Sequence, residues 1–161
     1  MFGKIWRWLC SFFVSSNSPE VKIKSLAKYD VIQLYKGCSS NVHGCDRTYA
    51  PVDKHWLLYP YYKYYRKVLD GLGINNWAEN FDCDDWARLY RDLSMACHHA
   101  ANGTTEGIAV GTFSYKKDGV YPHMINTAIV DDNKVIFIEP QTGLELILSQ
   151  REKESCWAVY F

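Results

Sequence analysis

The chain has 161 residues, enough for one domain with its own buried core. Lys and Arg together number 18 and so do Asp and Glu, so no net field draws it to nucleic acid or to an acidic lipid surface. Six cysteines, at 10, 38, 45, 83, 97 and 156, include no C-x-x-C pair, which argues against zinc. Their irregular spacing reads as reduced thiols in a cytoplasmic setting, with Cys38 and Cys45 the one pair placed for a local bridge. The 6 Trp, 12 Tyr and 7 Phe residues imply a large aromatic core or a surface on which sugar or peptide could stack.

Residues 1–14, MFGKIWRWLCSFFV, carry too short an apolar run to span a bilayer. They read as a helix docking Ile5, Trp8, Leu9 and Phe12 on the domain, or as an interfacial contact with a membrane. Ser15–Pro19 is a linker, so residues 1–19 are set apart from a domain at 20–161. Val21–Lys24 is a weak strand, Lys36–Asp46 a loop and Arg47–Val52 a short strand. Asp53 caps a helix from Lys54 to about Leu69, which Pro60 divides and Gly71 and Gly73 end. The tyrosines at 59, 61, 62, 64 and 65 read as core and rim.

The stretch Asn80-Phe81-Asp82-Cys83-Asp84-Asp85-Trp86-Ala87 opens the most distinctive helix. Trp86, Leu89, Tyr90 and Leu93 recur at three- and four-residue steps. Asp82 has the chemistry of an N-cap, and Asp84 and Asp85 suit the first turn. Cys83 then stands at a helix N-terminus, where backbone N–H groups favour a thiolate and can hold an oxyanion. The neighbouring carboxylates oppose this unless a cation compensates. A polar loop follows from Cys97 to Glu106.

From Gly107 the pattern turns to strands, at Ile108–Tyr115, Met124–Val130, Val135–Glu139, Leu144–Leu148 and Cys156–Phe161. Helices first and an antiparallel sheet afterwards predict an α+β domain.

A nucleophilic cysteine needs a base, and the base an orienting partner. His98 and His99 lie about 20 Å down the cysteine helix at ~1.5 Å per residue, too far to serve. His43 and His55 have no polar residues arranged around them. His123, at a strand start, is the candidate base, and Glu139, closing the apolar run Val135–Ile138, the orienter. Register decides the pairing. Val130 opposite Val135 brings Asn126 to Glu139, whereas Val130 opposite Lys134 puts Glu139 on the face of His123. The second case needs a left-handed residue, which Asn133 tolerates.

These motifs, Phe81–Ala87, Pro122–Asn126 and Glu139–Thr142, resemble the papain-like cysteine peptidase domain at the C-terminus of a Marasmius agglutinin and a set of small phage-encoded proteins. The likeness covers about residues 45–161. It implies a papain-like fold, with N-terminal helices and the cysteine helix packed on a C-terminal antiparallel sheet. It implies Cys83 as nucleophile, His123 as base and acid and Glu139 as orienter of a thiol-dependent hydrolase acting on a peptide or amide. Gln141 would hydrogen-bond Trp77, and Asn80 or Asn76 would stand in for the glutamine that precedes the cysteine in papain. Calcium is implied at Asp84 and Asp85, and host cytoplasm as the location. Two other readings stay open: a transglutaminase-like acyl transferase, and a non-catalytic phage structural or binding protein on the same framework.

Overall fold

The computed structural model describes residues 25–38, 41–102 and 105–161. The expected docking helix or membrane contact at 1–14 and the strand at Val21–Lys24 lie outside the described residues. In chain order the strands are β1 (Leu26–Ala27), β2 (Val42–His43), β3 (Thr48–Ala50), β4 (Gly107–Ile108), β5 (Val110–Lys117), β6 (Tyr121–Val130), β7 (Lys134–Glu139), β8 (Leu144–Leu146) and β9 (Ala158–Tyr160). The helices are α1 (Lys28–Leu34), α2 (Lys54–Trp56), α3 (Tyr62–Gly71), α4 (Cys83–Asn102) and α5 (Gln150–Glu154). No helix of the described residues is long and apolar enough to cross a membrane.

Six strands form the main sheet in the order β2-β9-β5-β6-β7-β8, and β1-β3-β4 form a smaller one. Both faces of the main sheet are covered. On one, Trp86, Tyr90 and Leu93 of α4 and Tyr65 and Leu69 of α3 pack against Val110, Ala128, Ile136 and Ile138. On the other, Val31, Tyr35, Tyr49, Leu148 and Phe161 pack against Phe113, Ile125, Ile129 and Phe137. Strands buried on both sides lose the apolar–polar alternation of a one-sided sheet. Thr112 and Ser114 of β5 and Asn126 and Thr127 of β6 are therefore enclosed. Thr127 donates to Ile136 O at 3.0 Å and lies 2.7 Å from the Tyr35 hydroxyl.

Asp53 caps α2 by accepting from Trp56 N–H at 2.5 Å. Pro60 then falls in a π-helical turn, Leu57–Tyr61, before α3 begins. A proline lacks the N–H of a regular helical bond and crowds the preceding turn, and the wider π turn accommodates both. α3 ends near Gly73, whose φ of 74° needs no Cβ. Three tyrosines bind α4 to this helical arm through backbone carbonyls. Tyr65 donates to Trp86 O at 3.0 Å, Tyr90 to Leu57 O at 3.1 Å, and Tyr61 to Tyr90 O.

The expected α+β, papain-like layout of helices followed by an antiparallel sheet is corrected. Among the described residues, nine strands in two sheets organise the fold. Three of them precede α4, and the pairs β2–β9 and β3–β4 are parallel. Strands of two or three residues carry no alternation that periodicity can detect. The predicted loops are revised too: β2 lies within 36–46, and α4 runs through the expected polar loop as far as Asn102. The last strand is shorter than predicted, and α5 precedes it, capped by Ser149 with Glu152 reaching back. Cys38 and Cys45 are free thiols, not a bridge.

Candidate functional site

Cys83 is the first residue of α4. Asp82 accepts from Asp84 N–H at 3.1 Å, and Asp85 reaches back to Asp82 N–H at 3.3 Å, so each aspartate gives one oxygen to closing the helix start. Farther along α4, Asn126 of β6 donates from its side-chain amide to Ala87 O at 2.8 Å and to Gly111 O at 3.1 Å. That buried amide fixes the first turns of the helix against the strand that carries His123.

The β6–β7 connection decides where Glu139 points. Val130 pairs with Lys134 across Asp131–Asn133, and Asn133 takes φ 59°. Asn126 then lies opposite Ile138, and Glu139 shares the face of His123. His123 Nε2 meets Glu139 Oε2 at 2.9 Å, with both side chains 15% exposed. Nδ1 is the ring nitrogen that Glu139 leaves, and Cys83 lies near enough to the imidazole to act on its charge. Sulfur, imidazole and carboxylate thus form one row between α4, β6 and β7. Cys83, then the bond to Glu139, push His123 up to about 9 against the opposing effect of burial. The ring is cationic at neutral pH, and a cation beside a cysteine sulfur is the partner a thiolate requires.

The remaining predicted residues divide. Gln141 acts through its backbone: its N–H points at Glu139 Oε1 at 3.4 Å, and its carbonyl accepts from the Tyr62 hydroxyl at 2.9 Å. Trp77 and Asn80 are exposed in the turn ahead of Cys83. Asp82, Asp84 and Asp85 bring carboxylate oxygens within 4.8 Å of one another. Such a donor set suits a hard cation such as calcium, but Asp84 is also paired with Arg88 at 2.6 Å. The contact between Asp82 and Asp84 lowers the first carboxyl's pKa and raises the second's.

Sequence reasoning missed Tyr115, whose ring lies 5.9 Å from His123, and Tyr62. Neither carries a local signal, because each reaches the site through strand pairing or across 79 positions. His43, read as lacking polar company, lies 2.5 Å from Asn41 Oδ1 and stacks on Tyr160 with centroids 4.8 Å apart.

No family model and no curated protein matches the chain. Solved structures do. The structure described as the PSL1a-E64 complex overlays with a TM-score of 0.66 and 19% identity over 85% of this chain and 50% of that one. Polyporus squamosus lectin bound to the epitope Neu5Aca2-6Galb1-4GlcNAc overlays with a TM-score of 0.57 and 20% identity over 75% of this chain and 42% of that one. At these identities the likeness concerns the fold, and the chain spans half or less of each neighbour. The expected identity is corrected accordingly. The named fold neighbour is a lectin, in place of the papain-like cysteine peptidase domain and its phage relatives. The thiol-dependent hydrolase with a peptide or amide substrate, and the labels hydrolase and thiol protease that went with it, are withdrawn on the same finding.

Proposed function

We propose that the chain is a binding protein whose ligand meets the row Cys83–His123–Glu139. The observation that carries this is the convergence of three polar side chains from three elements, with exposed aromatic residues close to two of them in the chain. Trp77 is 57% exposed in the turn before Cys83, and Tyr121 is 66% exposed two residues before His123. Rings that pair an apolar face with a polar tip are suited to contact surfaces. Carbohydrate is the ligand class we put first, supported by the fold shared with a lectin described with a sialylated epitope. The test is calorimetric titration with sialylated and galactosylated oligosaccharides, using wild type and Trp77→Ala. Saturable binding that weakens in the variant supports the reading, and no heat with any of them refutes it.

A second reading rests on the row alone, as a site for acyl transfer. Cys83 sulfur would form a bond to an acyl carbonyl while His123 gives its proton to the leaving group. An amine would then attack the thioester, pass its proton to His123 and release the thiolate. Glu139 would hold the ring, and the free N–H groups at the α4 start would face the oxyanion. Incorporation of a fluorescent amine into an acyl donor, lost in Cys83→Ala, tests it. Equal incorporation by the variant rules it out.

A further inference from the structure

Glu139 ends β7 and Pro140 follows, so at this point the strand ladder ceases to hold the backbone. A tight turn takes over. Thr142 N–H and Gly143 N–H both donate to Glu139 O, at 3.2 and 2.8 Å, and Gly143 takes φ 72°. One side chain from another element grips this turn. Tyr62 opens α3, its hydroxyl donates to Gln141 O at 2.9 Å, and its ring lies against Gly143. A Cβ at Gly143 would stand 2.6 Å from two carbons of that ring. The hydroxyl and the ring thus hold the turn at two points, while Gln141 N–H lies toward the Glu139 oxygen that His123 leaves.

We propose that Tyr62 is a positioning residue for the Cys83–His123–Glu139 row, fixing the Glu139–Gly143 turn so that the carboxylate meets the imidazole. The proposal rests on the reading of that row as the functional site. A carboxylate at a strand end has several staggered rotamers, and only some place an oxygen on the ring. Locking the turn removes the alternatives before any ligand arrives. Burial raises the Tyr62 pKa, so the hydroxyl keeps its proton and remains a donor at neutral pH. The titratable groups around His123 are Cys83 of α4, Glu139 of β7 and Tyr115 of β5; Tyr62 and Tyr65 of α3 lie near Glu139.

The experiment is an NMR titration of the His123 ring in the full chain, for wild type, Tyr62→Phe, Glu139→Gln and Cys83→Ala, with a thermal melt of each. Tyr62→Phe keeps the ring on Gly143 and removes only the donated bond. Its His123 midpoint is expected to drop by roughly half a pH unit, the scale of one weakened hydrogen bond, and the melt is expected to stay cooperative. A midpoint equal to wild type in Tyr62→Phe overturns the proposal, even where the melting temperature falls, because a merely structural role moves the melt alone. If Glu139→Gln and Cys83→Ala shift the midpoint and Tyr62→Phe does not, the row stands and the role of Tyr62 fails. If His123 titrates at its ordinary value in wild type, the row and the positioning role fall together.

Discussion

Replacing Glu139 with Gln keeps the shape of the side chain and removes the charge that faces His123. In the folded chain that imidazole is raised from 6.5 to about 9, first by Cys83, then by Glu139, with burial opposing. At about 1.4 kcal/mol for each pH unit, this amounts to ~3 kcal/mol of preference for the protonated ring in the native state. The His123 side chain is only 15% exposed, so solvent screens the pair weakly. A raised pKa means that the stabilisation is fully present below 6.5 and is lost as pH rises through 9. Urea unfolding at pH 6, 7.5 and 9 should therefore show stability falling by up to ~3 kcal/mol across that window. In Glu139→Gln the fall should shrink and shift to lower pH. Cys83→Ala should shrink it further, because the sulfur is the larger cause. Stability that is flat between 6.5 and 9 in wild type, or a slope unchanged in Glu139→Gln, refutes the reasoning.

The same row predicts selective labelling. At pH 6, iodoacetamide should modify Cys83 at least tenfold faster than Cys45, which is exposed and has no such row. His123→Ala should bring the two rates together, as read by peptide mass spectrometry. Asp53→Ala removes the acceptor of Trp56 N–H at the start of α2 and should cost about 1 kcal/mol in chemical denaturation. Gly143→Ala combines a φ of 72° with a Cβ 2.6 Å from the Tyr62 ring, and should destabilise by more than 1 kcal/mol. Its melting temperature should fall clearly, with the His123 midpoint moving down alongside.

The parts of this structure visible in the sequence are those written in neighbouring residues. Asp82 before an apolar-periodic run announced α4, because capping and periodicity are local. Asp131-Asp132-Asn133 left two registers open, and the tolerance of asparagine for positive φ matched one of them, the register that carries Glu139 to His123. The end of α4 was misplaced because Cys97–Asn102 is polar, yet it continues an amphipathic helix whose outer face can be polar without breaking. α5 did have a local signal, Ser149 followed by Glu152, but so short a helix has no periodicity to draw notice. The pairings of β2 with β9 and of Tyr62 with Gln141 join positions 117 and 79 residues apart, and nothing near either partner encodes them. A sequence motif of three short pieces led to a peptidase identity, whereas the named fold neighbour is described as a lectin, because residues in the right order specify a geometry more readily than a function.

The position of β9 has a consequence for synthesis. Ala158–Tyr160 is an interior strand, hydrogen-bonded to β2 on one side and β5 on the other. On the ribosome it emerges after both neighbours, so until then one edge of β5 stands open and β2 has no place in the main sheet. Domains tend to fold as units as they are made, and here the main sheet stays unsealed until β9 slides into the gap. A nascent chain stalled short of residue 158 would show strangers an uncovered edge of β5, the kind of surface to which chaperones and aggregation both respond.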